Sequence, residues 1–171
     1  LIAVSACDPG AAVLSEVHRS TPPLPRALGR RVLLAEDNEI NREVAIGMLE
    51  QLGCTVEIAR DGREACSAFG AAAFDVVLMD CQMPEMDGFE ATREIRRLER
   101  ERGKSRIPII ALTANALSGD RERCLEAGMD SFIRKPFLRA QLHDEVVQWA
   151  GVAPQAIARG AAALTAGPPR E

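Results

Sequence analysis

The sequence contains no apolar run that approaches the roughly 18 residues of a membrane-spanning helix. Its first residues, LIAVSA, lack a basic flank and are too short for a signal peptide. It also lacks a lysine- or arginine-rich run, and a net charge of −4 gives no electrostatic footprint for nucleic acid. These absences favour a cytoplasmic domain without membrane or nucleic-acid contacts of its own.

The cysteines form no C-x-x-C pair and are odd in number, at five. Most of them lie among apolar residues, so the sequence predicts neither a metal site nor a disulfide framework from them. Reduced thiols in the cytoplasm fit this pattern best. The five positions are Cys7, Cys54, Cys66, Cys81 and Cys124.

The composition allows one ordinary core, with 171 residues of which 47% are hydrophobic and 27% charged. The proline-rich segment STPPLPRALG favours extended geometry, so residues 1–29 are predicted to be a linker or the remnant of a preceding domain. Residues 151–171 are rich in alanine, glycine and proline and are predicted to be a disordered tail. The folded domain is therefore predicted at residues 30–150. The chain opens on Leu1 rather than Met, and we expect a longer natural protein.

Short aliphatic runs alternate with segments of helical period, which is the pattern of a parallel sheet covered by helices on both faces. Five strands and five helices in about 120 residues predict a doubly wound α/β domain with a five-stranded parallel sheet. The predicted strands are RVLLA (31–35), TVEIA (55–59), DVVLM (75–79), IPIIALT (107–113) and SFIR (131–134).

Apolar residues at helical spacing mark the first and last helices, with Ile40, Val44, Met48, Leu49 and Leu52 in one and Leu138, Leu142, Val146 and Trp149 in the other. The third helix carries a basic face among acidic neighbours, which we expect to be solvated. That face consists of Arg96, Arg97, Arg100 and Arg102. The segment LERERGKSRIP is expected to extend this helix or its loop away from any site.

Polar residues stand where four of the predicted strands end. Glu36 and Asp37 follow the first strand, Asp80 ends the third, Thr113 ends the fourth and Lys135 follows the fifth. The carboxyl ends of parallel strands meet at one rim, where folds of this class bind ligands. Three carboxylates there would repel one another unless a cation neutralised them. Oxygen ligands suit Mg²⁺, and a carboxylate beside that ion, with a lysine and a hydroxyl nearby, can attack phosphorus.

Each of these residues also has an ordinary structural explanation. Glu36 and Asp37 could charge the start of the first helix, and Asp80 could be a turn residue at a strand end. Thr113 could serve packing, and Lys135 could be a solvated lysine. A shared site is favoured because independent structural causes would not place all five polar groups on one rim.

Four segments resemble the receiver domain of response regulators in two-component signalling: LLAEDNEINREV, VVLMDCQMPEMDG, IIALTAN and FIRKPF. The resemblance covers about residues 30–150 and implies the flavodoxin-like strand order 2-1-3-4-5. It implies phosphorylation at Asp80, with Mg²⁺ held by Asp37 and Asp80. Glu36 would help to hold this ion, and the backbone carbonyl of Gln82 would be a further ligand.

The resemblance also implies a switch. Thr113 and Lys135 would contact the phosphoryl group, and Phe132 stands at the position of the family's aromatic switch residue. A change there would alter the surface formed by the fourth helix, the fifth strand and the fifth helix.

The segments AEDNEINREVAIGMLEQLG and ALTANAL are most similar to C-terminal receivers of hybrid histidine kinases. This implies phosphoryl exchange with a histidine phosphotransfer protein or with the dimerisation domain of a histidine kinase; a stand-alone single-domain regulator is the alternative. An aspartate-nucleophile phosphatase would carry a second aspartate where Gln82 stands. A phosphorylation-independent pseudo-receiver would have lost an acidic, threonine or lysine position, and none is missing.

Overall fold

The computed structural model describes residues 28–114 and 118–150, without the side chains of residues 118–120. Strands and helices alternate throughout this part of the chain. In order they are β1 (Arg31–Ala35), α1 (Glu39–Gln51), β2 (Thr55–Ala59), α2 (Gly62–Ala71), β3 (Val76–Asp80), α3 (Gly88–Glu101), β4 (Ile109–Thr113), α4 (Ser118–Ala127), β5 (Ser131–Arg134) and α5 (Arg139–Ala150). The predictions for residues 1–27 and 151–171 lie outside the described residues.

The five strands form one parallel sheet in the order β2-β1-β3-β4-β5. This confirms the predicted α/β class and strand order. Every residue of β3 and β4 is buried, because these central strands are covered on both faces, and their unbroken aliphatic runs follow from that burial. β3 begins and ends one residue later than predicted, so Asp80 is its last residue.

Alternate residues of the central strands face two separate cores. Leu33, Val77 and Ile109 face the core formed with α2, α3 and α4. Val32 and Leu78 face the core formed with α1 and α5. None of the helices in the described part of the chain is long and apolar enough to cross a membrane. The layered arrangement leaves the carboxyl ends of the strands as an open rim.

The apolar residues that predicted α1 do not all enter the core. Ala45 and Leu49 are buried, whereas Ile40 is 73% and Val44 is 49% exposed. Leu138, which precedes α5, is 69% exposed. Helical periodicity therefore identified these elements correctly, but exposed aliphatic side chains remain near the rim.

The prediction of a solvated basic face on α3 is wrong for Arg96, which is 5% exposed. Its guanidinium contacts Glu99 at 2.8 Å and Asp130 at 2.6 Å, and its Nε donates to the carbonyl of Gly128 at 2.9 Å. Arg106 pairs with the same Asp130 at 2.7 Å. The arginine can be buried because carboxylates and carbonyls satisfy its charge and its donors.

The segment after α3 also fixes the end of α2, far along the sequence. Arg102 Nη1 donates to the carbonyl of Gly70 at 2.9 Å, and Lys104 Nζ donates to the carbonyl of Phe69 at 3.2 Å. These carbonyls belong to the last turn of α2, where no intrahelical N–H group is available to donate to them. The predicted extension therefore lengthens α3 and caps α2.

Replacing Arg96 by alanine should lower the free energy of unfolding by about 3 kcal/mol, because two buried carboxylates would lose their shared partner. Arg97→Ala, one position along the same helix, is the matched control. Arg97 pairs only with glutamates at the surface, and such pairs contribute little. Urea denaturation followed by circular dichroism measures both variants. Equal losses would show that the buried ion pairs do not stabilise the fold.

Candidate functional site

The rim of the sheet brings the predicted residues together, because parallel strands end on the same side. Glu36 directly follows β1, Asp80 ends β3, Thr113 ends β4 and Lys135 directly follows β5. Asp80 is paired with Leu112 in the β3–β4 register, one residue before Thr113. Four strands therefore supply one polar cluster.

The carboxylates of Glu36, Asp37 and Asp80 form a compact acidic cluster. One oxygen from each lies within 4.8 Å of the others. Glu36 is 1% and Asp80 is 5% exposed, while Asp37 faces solvent. Negative charges this close repel one another strongly away from bulk water. The oxygen donors and the open side at Asp37 suit Mg²⁺, which binds through a few carboxylates and retains waters.

Lys135 bridges two of these carboxylates. Its Nζ lies 2.6 Å from Glu36 Oε2 and 2.7 Å from Asp80 Oδ2. Burial alone would lower the pKa of Lys135, but hydrogen bonds with Asp80 and Glu36 outweigh it and raise that pKa above its usual value. The ammonium therefore stays charged and supplies one positive charge against three carboxylates.

Asp80 is buried enough for its charged form to be disfavoured. Burial raises the pKa of this carboxyl above its usual value, and hydrogen bonds from Lys135 and from the backbone N–H of Gln82 offset the effect only in part. The Gln82 bond reaches Asp80 Oδ1 at 3.1 Å. Both carboxylate oxygens of Asp80 are thus oriented by the protein.

The loop after β3 folds back beneath Asp80. The N–H of Gly88 donates to the carbonyl of Cys81 at 3.3 Å, and a Cβ at Gly88 would lie 2.1 Å from the carbonyl oxygen of Asp80. Only glycine fits this approach. Asp87 and Glu90 then form a capping box that starts α3. Asp87 and Gly88 therefore shape the loop and the start of the helix.

Gln82 lies beside the acidic cluster at the surface. It lines an open groove together with Asp37 and Pro84. This position agrees with a ligand role for its backbone carbonyl, which stays a prediction.

Thr113 and Phe132 occupy different surroundings in the structure. Thr113 is buried at the rim, and its carbonyl accepts the backbone N–H of Lys135 at 2.7 Å. Phe132 is 36% exposed and lines a groove between α4 and α5, together with Cys124 and Trp149. The structure therefore separates the aromatic side chain from the acidic cluster.

Asn41 contacts the cluster but was not predicted from the sequence. Its Nδ2 donates to Glu36 Oε1 at 3.1 Å. The next residue, Arg42, donates from Nη1 to the carbonyls of Glu36 and Asp37, each at 3.2 Å. The sequence offered one signal for this contact, an asparagine inside α1. Because Asn38 already caps the helix, Asn41 was not needed as a second cap.

This arrangement matches a known family over most of the described chain. Residues 32–147 match the response regulator receiver domain. The chain belongs to the receiver family. A relative is hybrid signal transduction histidine kinase A of Dictyostelium discoideum, 44% identical over 135 residues and 78% of this chain. Sensor protein GacS of Pseudomonas syringae is 42% identical over 132 residues and 77% of this chain. This receiver spans only 6% and 14% of the length of those two proteins.

Two solved receiver structures share the fold. A receiver domain of a sensor histidine kinase from Pseudomonas aeruginosa holds a magnesium ion in its active-site cleft. It is 48% identical, covers 72% of this chain and 99% of its own, and has a TM-score of 0.67. The receiver of Ssk1 from Saccharomyces cerevisiae, bound to the histidine phosphotransfer protein Ypd1, is 27% identical. It covers 71% of this chain and 89% of its own, with a TM-score of 0.69.

Proposed function

We propose that this receiver accepts a phosphoryl group from a phosphohistidine on Asp80, in a step that depends on Mg²⁺. The main support for this proposal is the Lys135 ammonium, whose Nζ lies 2.7 Å from Asp80 Oδ2. It lies within an acidic cluster whose three carboxylates could hold a metal ion. An oxygen of Asp80 attacks phosphorus, the phosphorus–nitrogen bond breaks, and its electron pair leaves with the imidazole. The product is an acyl phosphate on Asp80.

Asp37 and Asp80 are the proposed direct protein ligands of Mg²⁺, with the backbone carbonyl of Gln82. When bound, the ion draws charge from the phosphoryl oxygens. Glu36 is proposed to help through water, because Lys135 and Asn41 each contact one of its oxygens and hold the carboxylate in place. The magnesium ion in the Pseudomonas aeruginosa receiver supports this assignment.

Lys135 and Thr113 are the proposed partners of the phosphoryl group after transfer. Lys135 already contacts the acceptor, and its compact ammonium can follow the new charge. Thr113 lies at the end of the adjacent strand, and a hydroxyl can donate one hydrogen bond to a phosphoryl oxygen. Together with the ion, they would balance the charge added at Asp80.

Asp80→Asn should abolish phosphorylation by acetyl phosphate, because the asparagine amide lacks the anionic oxygen that is proposed to attack phosphorus. The gain of one phosphoryl group is measured by intact-mass spectrometry, with Mg²⁺ and with EDTA. Asp87→Asn is the matched control, since asparagine caps a helix as well as aspartate does. Magnesium-dependent labelling that persists in Asp80→Asn would place the acceptor elsewhere.

The proposed context is a hybrid histidine kinase, with a histidine phosphotransfer protein or the dimerisation domain of a histidine kinase as partner. The hybrid-kinase relatives and the complex of the Ssk1 receiver with Ypd1 support it. We also propose a cytoplasmic location. Cys54 and Cys66 are free thiols, as expected in a reducing compartment.

An exposed aliphatic surface beside the acidic segment fits a protein partner of this kind. We define the rim patch as Ile40 and Val44, which are 73% and 49% exposed. Ile40 and Val44 are one turn apart on α1, close in sequence to Asp37. A phosphotransfer protein must bring its histidine to this rim, so we propose that an apolar surface of that protein covers the patch.

Ile40→Glu should slow phosphoryl transfer from a protein donor by about tenfold while leaving labelling by acetyl phosphate unchanged, because only the protein donor needs the rim patch. Phosphorylated Ypd1 is the donor used, and transfer is followed by loss of its label. Val147→Glu is the control, since Val147 is exposed on α5 but lies outside the patch. A loss with both donors would instead indicate damage to the site.

We propose that phosphorylation changes the surface formed by α4, β5 and α5. The Thr113 hydroxyl would move toward the phosphoryl group, and the half-exposed Phe132 ring would turn into the space it leaves. Phe132 has no hydroxyl to anchor it, so packing alone would bias the ring and the change would be modest.

Thr113→Ala should therefore still accept phosphate at Asp80, but phosphorylation should no longer change the surface formed by α4, β5 and α5. Amide chemical shifts around Phe132 and α5 are compared with and without beryllofluoride, a mimic of the phosphoryl group. The parent should show changes there, and Thr113→Ala should show changes confined to the rim. Equal changes in both proteins would rule out transmission through the threonine.

A further inference from the structure

The side chain of Asn41 reaches from α1 to the most buried carboxylate of the cluster. Its Nδ2 donates to Glu36 Oε1 at 3.1 Å, while Lys135 Nζ lies 2.6 Å from Glu36 Oε2. The Glu36 side chain is only 2% exposed. We propose that Asn41 is a positioning residue, which holds Glu36 so that this carboxylate keeps Lys135 beside Asp80 and supports magnesium binding. This inference rests on the proposed function.

Helix formation does not account for this asparagine. Asn38 is the N-cap of α1, and its side chain accepts the backbone N–H of Asn41 at 3.1 Å. The Asn41 side chain is not needed for that cap, and asparagine is less favourable than alanine inside a helix. We therefore attribute the asparagine at position 41 to its hydrogen bond with Glu36.

The hydrogen bond fixes which way Glu36 faces. Asn41 holds one oxygen of the carboxylate and Lys135 holds the other, so the group cannot rotate without breaking a contact, although each oxygen keeps a second lone pair. Arg42 holds the backbone of the same segment through the carbonyls of Glu36 and Asp37. Removing the Asn41 amide would free one oxygen of Glu36 and leave the backbone in place.

Partners that orient the groups around a metal typically affect its affinity by 10- to 100-fold. Because Lys135 would still hold one oxygen of Glu36, we expect the lower end of this range. Asn41→Ala should weaken magnesium binding by about tenfold. It should also slow labelling by acetyl phosphate at saturating Mg²⁺.

A double-mutant cycle tests whether Asn41 acts through Glu36. Magnesium dissociation constants are measured by amide chemical-shift titration for the parent, Asn41→Ala, Glu36→Ala and the double variant. Asn41→Ala should have an effect of less than about twofold once Glu36 is gone, because independent effects add and coupled effects do not. Gln51→Ala is the control on the same helix, since Gln51 contacts Arg139 away from the site. It should leave the dissociation constant unchanged.

A second readout needs neither metal nor phosphate. The side-chain amide protons of Asn41 in the metal-free protein should shift on Glu36→Ala and should remain in place on Gln51→Ala. An equal loss of magnesium affinity from Asn41→Ala in both backgrounds, or no loss in the parent, would overturn the proposal. Alanine favours helix formation, so a folding failure is not expected, and urea denaturation checks this.

Failure of the proposed function would look different. If acetyl phosphate labels no variant but the magnesium cycle shows coupling, the phosphoacceptor assignment fails and the positioning role stands. If Asp80 is labelled but Asn41 and Glu36 act independently, only the positioning role fails.

Discussion

The contact of Lys135 with both Glu36 and Asp80 is the interaction on which the rest of the site depends. Burying two carboxylates against a third is unfavourable unless cations compensate. Lys135 provides part of that compensation from a position directly after β5, 99 residues after Glu36 in the sequence. The negative charge that remains suits a divalent cation, which would in turn offset the charge of the proposed phosphoryl group.

Two ionic clusters lie in this domain, and their charge balance separates their roles. Arg96 and Arg106 face Glu99 and Asp130, so two positive charges meet two negative charges. That cluster is complete and ties α3 to the segments around β4 and β5. The cluster at the rim sets the ammonium of Lys135 against three carboxylates. The balanced cluster suits a structural role, whereas the unbalanced cluster is a candidate for a functional site.

The rim also connects the site to a distant surface. The backbone bond between Lys135 and Thr113 joins the ends of β4 and β5, and Phe132 lies in β5 facing the groove between α4 and α5. Charge added at Asp80 would therefore act on two neighbouring strands that also carry the proposed output surface. Two strands joined in this way give a short physical route for such a change.

The sequence by itself determined the alternating strands and helices, the parallel sheet and the rim that carries Glu36, Asp37, Asp80, Thr113 and Lys135. These features follow from local periodicity and from the geometry of parallel strands, which a single sequence displays. Only the tertiary structure decided that Arg96 is buried, because Asp130 lies 34 residues away and meets it through the crossover of α3, β4 and α4. It also decided that Asn41 holds Glu36 and that Ile40 stays exposed. Such contacts depend on how a helix is rotated against the sheet, which periodicity leaves open.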